Sequence, residues 1–218
     1  MPAPDEPPVV AAFDVDGTLT TRDSVVPFLW RVAGPGFVLG MLRRAGALAG
    51  ALARRDRDTV KELAISAAFE DRDHAEVATA GERWARVIEA DRLRADTTDR
   101  MRWHQSRGHA VVLVSASLDA YLEPLARSLG LGAVLCSTLE VDGGGRCTGR
   151  LVGDNCRGAE KARRLTEWLA GHEAATGRTA TLWAYGDSAG DDEMLAMADH
   201  PVRVGRPTLS AAPEVNVR

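Results

Sequence analysis

Val9-Val10-Ala11-Ala12-Phe13-Asp14-Val15-Asp16-Gly17-Thr18-Leu19-Thr20 is the stretch on which the reading of this chain turns. Five apolar residues in succession, with no polar alternation, mark a strand buried on both faces. The run ends on two carboxylates two residues apart and enters a glycine-containing loop. Left alone, the two charges would repel each other. A divalent cation relieves that, and Mg2+ suits the pattern because it takes one or two carboxylates and completes its octahedron with water and phosphate oxygens. An ordinary Asx-turn after a strand is the plainer alternative.

Working outward, similar apolar runs recur at Ala110 to Val114, Ala133 to Cys136 and Thr181 to Tyr185, with a shorter one at Val202 to Val204. Helix-period segments separate them: Leu118 to Leu129, Glu160 to Ala170 and Asp192 to Ala198. Strands alternating with amphipathic helices predict an α/β fold, an open parallel sheet with helices on both faces and the ligand beyond the carboxyl ends of the strands. One interruption is large. Residues 20 to 105 carry no strand pattern and read as helices at Val25 to Val32, Phe37 to Ala53, Thr59 to Phe69, Ala75 to Ala90 and Ala95 to Arg107. An insert placed just after a strand's carboxyl end is expected to lie over the site as a lid. Leu139 to Val152, around Gly143, Gly144 and Gly145, predicts a small β-hairpin beside the main sheet. The opening MPAPDEPP is polar, proline-rich and expected to be disordered.

The chain has 218 residues, 45% of them hydrophobic and 27% charged, the profile of a soluble globular protein. Its formal net charge of −4 argues against a nucleic-acid partner or an overall attraction to anionic lipid. Cys136, Cys147 and Cys156 make neither a CxxC pair nor an even disulfide framework, and no signal segment is visible, so a cytoplasmic location is expected. The longest mostly apolar stretch, Gly34 to Ala53, carries Arg43 and Arg44 in its middle. Each would cost roughly 2.5–3.5 kcal/mol at a bilayer centre, which argues against an integral span. Of 27 basic residues only Lys61 and Lys161 are lysine. A lysine that survives among so many arginines marks a place that wants a compact ammonium rather than a planar fork, and Lys161 is the candidate.

Three further places carry chemistry, two at strand ends and one at a helix start. Val114-Ser115-Ala116-Ser117 leads into a helix, where Ser117 is a candidate N-cap and the free backbone N–H groups suit a phosphate. Lys161 sits in the first turn of a helix, against the dipole, which asks for an anionic neighbour; a surface salt bridge is the alternative. Tyr185-Gly186-Asp187-Ser188-Ala189-Gly190-Asp191 adds two more carboxylates, while Asp192 and Glu193 suit the start of the next helix.

The order Asp-x-Asp, Ser, Lys, Gly-Asp-x-x-x-Asp resembles the haloacid dehalogenase (HAD) superfamily of phosphohydrolases, over about Val9 to Gly205. The strings DVDGTLTTRDS (14–24), VVLVSAS (111–117), CRGAEKARRL (156–165) and YGDSAGDDEML (185–195) are similar to those of its IB, phosphoserine phosphatase-like branch. The resemblance implies a Rossmann-like HAD core of residues 1–20 and 106–218 and an all-helical, C1-type cap of residues 21–105.

It further implies a Mg2+-dependent phosphatase acting on a small phosphorylated substrate, with Asp14 as nucleophile and Asp16 as general acid and base. Gly17, Thr18, Ser115, Ala116 and Lys161 would hold the phosphate. Asp14, Asp187 and the Asp16 backbone carbonyl would hold the metal, with Asp191 orienting water and interacting with Lys161. The chain has DGT where phosphoserine phosphatases usually have DST, and Asp23 where a glutamate grips the substrate amine. Asp23 is one methylene shorter, a substrate contact that points away from phosphoserine itself.

Two other functions fit part of the pattern. Phe28-Leu29-Trp30 and Phe37 to Ala53, edged by Arg31, Arg43, Arg44, Arg54 and Arg55, could touch a membrane surface peripherally, and a phosphatidylglycerophosphate phosphatase has a similar DxDGT core. Packing of the helices on one another is the alternative. A phospho-accepting module or a non-hydrolytic binding protein would share the strand-end Asp, Ser and Lys, but a receiver lacks an acid two residues after the nucleophile.

Overall fold

Pleating sorts the first strand's residues between two cores. In β1 (Val9–Phe13), Val10 and Ala12 point to one face and Ala11 and Phe13 to the other, and all four are fully buried. β2 (Ala110–Leu118) divides the same way, Val112 and Val114 against Val111 and Leu113. A strand covered on both faces has no room for polar alternation, which is why the run is continuous.

The computed structural model describes residues 7–205 and 209. β3 (Ala133–Ser137), β6 (Thr181–Gly186) and β7 (His200–Arg203) join β1 and β2 in one parallel sheet of order β3-β2-β1-β6-β7. The order reverses between β1 and β6, so the loops after β2, β1 and β6 stand side by side over the crevice where open α/β sheets bind ligands. On one face α8 (Ala159–Thr176) and α9 (Asp192–Ala196) bury Leu165, Met194 and Leu195 against the sheet. α7 (Asp119–Ser128) lies on the other face. Residues 1–6 of the polar lead-in fall outside the described residues.

The insert consists of α1 (Val25–Ala33), α2 (Pro35–Arg43), α3 (Ala45–Ala53), α4 (Arg57–Phe69) and α5 (His74–Asp91). Its two connections run side by side: Thr21 N donates to Arg92 O at 2.8 Å and Arg94 N to Leu19 O at 2.9 Å. The insert has no separate core. Phe28, Phe69, Trp84 and Ile88 pack in one continuous cluster with Phe13, Leu113 and Tyr121. α5 approaches α7 so closely that a Cβ on Gly81 would stand 1.9 Å from the Ala120 carbonyl oxygen.

Three expectations need correcting. The single helix expected over 37–53 breaks at Arg44, whose side chain turns back to α4, donating to Ser66 Oγ at 2.7 Å and pairing with Glu70. Ser117 is not an N-cap; Leu118 takes that position without a side-chain bond, and Ser117 stays in β2. α6 (Ala95–Ser106), counted with the insert through residue 105, packs on the sheet instead. Its His104 meets Phe13 edge-on, centroids 6.1 Å apart, and reaches the Tyr185 hydroxyl at 2.9 Å.

The expected hairpin is present as β4 (Leu139–Val141) and β5 (Cys147–Leu151), a separate two-stranded sheet. It grips the insert: Asp71 N donates to Cys147 O at 2.9 Å and Cys147 N to Arg72 O at 2.8 Å. Gly149 faces α4, where a Cβ would come within 3.0 Å of Ser66 Cα.

Candidate active site

Asp14 leaves β1 with its amide bonded to Tyr185 O at 2.9 Å, which locks the two central strand ends in register. Its carboxylate is buried at 6% exposure and meets the ammonium of Lys161. Lys161 reaches it from the first turn of α8, and its Nζ lies 2.6 Å from Asp191 Oδ1 as well. The unfavourable dipole position is thus compensated by two carboxylates. α8 is held at that spot by Gly158, whose φ of 59° and N–H bond to Gly190 O tie the helix start to the loop after β6.

Oxygen atoms of Asp14, Asp187 and Asp191 all lie within 4.8 Å of one another. Crowding shows in their proton affinities. Burial pushes Asp14 up to about 7, with Lys161 opposing and Asp191 adding to the rise. Asp187 is also raised, by burial and by Asp191. Asp191 moves the other way: burial works against its charge, but Lys161 and the Ser188 bonds hold it below the usual carboxylate range. For Lys161, burial is outweighed by Asp14 and Asp191, and its affinity for a proton rises. An excess of carboxylate over ammonium, with Asp14 and Asp191 buried and Asp187 partly open to solvent, is a donor set that fits a hard divalent cation. Asp191 already spends Oδ1 on Lys161 and accepts at Oδ2 from Ser188 N and Ser188 Oγ, both at 3.0 Å.

Asp16 faces away from that cluster. Its Oδ1 accepts from Ser24 N at 2.9 Å, and its Oδ2 accepts from Ser117 Oγ at 2.7 Å. Burial raises its affinity for a proton, with the serine bonds opposing. Because the side chain points toward the insert, only its backbone carbonyl is left to serve a metal near Asp14.

The loop between them requires glycine. Gly17 has φ 85°, and a Cβ there would sit 2.2 Å from Asp187 Oδ2. Gly186 is equally confined, with a Cβ 2.5 Å from that of Asp191. Thr18 is buried, its hydroxyl 3.5 Å from Asp187 Oδ1. Ser115 is buried at the end of β2 and accepts from Ser117 N at 3.1 Å. The β2–β3 register shifts between Ser115 and Leu118, so Ala116 and Ser117 bulge out of the ladder toward the loop after β1. Asp14, Asp16, Gly17, Thr18, Ser115, Asp187 and Asp191 therefore gather at neighbouring strand ends, and Lys161 reaches in from α8. Asp23 stands apart: it is exposed, and its Oδ2 accepts from Val26 N at 3.0 Å at the start of α1.

The sequence reading gave no role to Lys61. From α4 its ammonium donates to Ala116 O and Asn155 Oδ1 and lies 3.2 Å from Ser137 Oγ. Burial draws its pKa down to about 8. The insert thus touches the β2 bulge through a charged group. Its scarcity was the one available signal, since Lys61 and Lys161 are the chain's only lysines.

A family model for haloacid dehalogenase-like hydrolases matches residues 11–196. The chain belongs to that family. It is 37% identical over 193 residues to Protein CicA of Caulobacter vibrioides, covering 88% of this chain and 84% of that one. It is 28% identical over 217 residues to "Probable phosphatase Rv3661" of Mycobacterium tuberculosis, covering 95% and 72%. A solved phosphoserine phosphatase, described as a phospho-aspartyl intermediate analogue, superposes with a TM-score of 0.59 at 20% identity, covering 88% of this chain and 84% of that one. At that identity the likeness concerns the fold, a HAD-like α/β core.

Proposed function

We propose that this HAD-family hydrolase cleaves a small phosphomonoester by way of an aspartyl-phosphate on Asp14, with Mg2+ and with substrate selection by the helical insert. The observation that carries this reading is the contrast between two carboxylates two residues apart. Asp14 faces Lys161 and the acidic cluster, whereas Asp16 is turned to Ser24 and Ser117; burial raises the proton affinity of both, and of the two only Asp14 has an ammonium bonded to its charge. Opposed environments on neighbouring carboxyl groups divide nucleophile from acid.

In this mechanism an Asp14 oxygen attacks phosphorus and the P–O bond to the leaving group breaks, while Asp16 gives that oxygen its proton. Asp16 then takes a proton from water, whose oxygen attacks the phosphorus of the aspartyl-phosphate and frees Asp14. Ser115, Thr18, the backbone N–H groups at Gly17 and Ala116, and Lys161 hold the phosphoryl oxygens, where the charge of a loose transition state is spread. Asp14, Asp187 and the Asp16 carbonyl would hold Mg2+, and Asp191 keeps Lys161 and Ser188 in place. Bound there, the ion neutralises the approach of an anionic substrate to an anionic nucleophile. Asp23, on the insert side of the loop, is a contact for an amine-bearing substrate if its bond to Val26 opens.

Phosphate release from an aryl phosphate, with and without Mg2+, tests the reading. Turnover is expected with Mg2+, lost on chelation and in Asp14→Asn. Full activity in Asp14→Asn would remove the nucleophile assignment, and a phospho-enzyme that persists without turnover would favour an accepting module.

A further inference from the structure

The outer face of α1–α3 is both apolar and basic. Among the described residues eight large hydrophobic side chains are exposed, and six of them, Val26, Trp30, Val38, Leu39, Leu42 and Leu52, fall within this one segment. Their spacing makes them neighbours. Val26 and Trp30 stand one turn apart on α1, and Val38, Leu39 and Leu42 share a side of α2. Trp30 meets Phe37 edge-on with centroids 6.5 Å apart, which joins the two helices into one surface. α3 continues it with exposed Ala45, Ala49 and Ala53 on the side of Leu52. Contiguous exposed apolar surface on a folded protein marks a place of contact.

Charge identifies the partner. Residues 25–55 hold five arginines and no aspartate or glutamate, in a chain whose other 22 basic residues face 31 acidic ones. Arg44 is engaged with Glu70, and Arg31 lies over the Trp84 ring. Arg43, Arg54 and Arg55 are exposed at the ends of α2 and α3, beside the apolar side chains, with the Asp56 carboxylate near Arg54 at the edge of the segment. We propose that α1–α3 is a docking surface for an anionic lipid bilayer, with Trp30, Leu39, Leu42 and Leu52 entering the headgroup region and the arginines at its border. Apolar burial and attraction to anionic headgroups act together at such surfaces, and Trp is favoured at that depth.

The same residues exclude the neighbouring solutions. No single described helix is long and apolar enough to cross a membrane; α1 and α2 pass that test only as a pair, and they are bent by 102° at their junction. Phe28 and Leu29 anchor the other side of α1 in the core. A two-fold contact between copies of this chain would bring together two faces that each carry five arginines and no carboxylate within residues 25–55, a like-charge approach that an anionic lipid surface does not present.

The docking is independent of the hydrolytic reading and is measured without it. The full chain is sedimented with vesicles of phosphatidylcholine alone and of phosphatidylcholine with an equal part of phosphatidylglycerol. Binding to the mixed vesicles only, weakened by salt, is expected. Leu39→Asp with Leu42→Asp should abolish it, and Arg43→Gln and Arg54→Gln should each weaken it roughly fivefold. Melting temperatures close to the parent's establish that these variants are folded. No binding, equal binding to neutral vesicles, or binding unchanged in both variant sets would overturn the proposal. So would a dimer in solution that Leu39→Asp dissociates, which would give the face to a second copy.

Discussion

Ser117 Oγ lies 2.7 Å from Asp16 Oδ2, across 101 residues of sequence, and so the β2 bulge and the loop after β1 meet at the proposed acid. A hydroxyl donating to a carboxylate stabilises its charged form, so this bond restrains the rise in proton affinity that burial imposes on Asp16. In Ser117→Ala the Asp16 pKa should climb further, moving the alkaline limb of kcat against pH upward. Asp16→Asn should lower kcat by about 10²–10⁴-fold, the usual weight of general acid–base catalysis. A pH profile unchanged in Ser117→Ala would separate that hydroxyl from the proton transfer.

Gly17→Ala combines two penalties, a positive φ of 85° and a Cβ 2.2 Å from Asp187 Oδ2. Displacing Asp187 is expected to raise the Mg2+ concentration needed for half-maximal activity, together with a stability loss of roughly 1–3 kcal/mol. A Mg2+ titration beside thermal melting measures both.

Lys161→Met would leave Asp14 and Asp191 buried without their shared cation. Removing one partner of a buried ion pair costs roughly 3–5 kcal/mol. Without Mg2+ the variant should therefore melt well below the parent at neutral pH and recover part of the difference in mild acid, where the carboxylates take up protons. Equal melting of the two proteins would show that Lys161 is not needed to hold the cluster.

His104 supplies a pH dependence behind the site. Burial and then His109, Arg100 and Arg107 push its pKa down to about 3, and its ring nitrogens face His109 Nδ1 at 2.8 Å and the Tyr185 hydroxyl at 2.9 Å. Between pH 3 and the unfolded value near 6.5, the unfolded chain binds the extra proton and the folded one does not. Stability should accordingly be complete above about pH 6.5 and decline as pH falls toward 3, by at most about 1.4 kcal/mol per pH unit from this group. Denaturant melts of the protein and of His104→Gln across that range should show a shallower slope in the variant.

Much of the candidate site is legible in the sequence because strand ends carry local signals. The Val9–Phe13 run, the DxD after it and Gly186-Asp187 each need only neighbouring residues to be recognised, and the parallel order of strands then brings them together. The boundaries that failed were those decided by distant partners. Arg44 interrupts a helix-period stretch because Ser66 and Glu70 of α4 hold its guanidinium, and α6 joins the sheet because His104 finds Tyr185 and Phe13.

What the sequence determined by itself is the alternation of buried strands with helices, the position of the long helical insert, and the residue types at each strand end. Periodicity and turn chemistry act over a few residues, so these are local properties. The tertiary structure alone decided that Asp16 turns to Ser24 and Ser117 while Asp14 turns to Lys161. It decided likewise that Lys61 reaches the Ala116 carbonyl and that the apolar side of α1–α3 faces outward. Direction, burial and proton affinity depend on what the folded chain places opposite a side chain, and for Asp14 that partner, Lys161, stands 147 residues away.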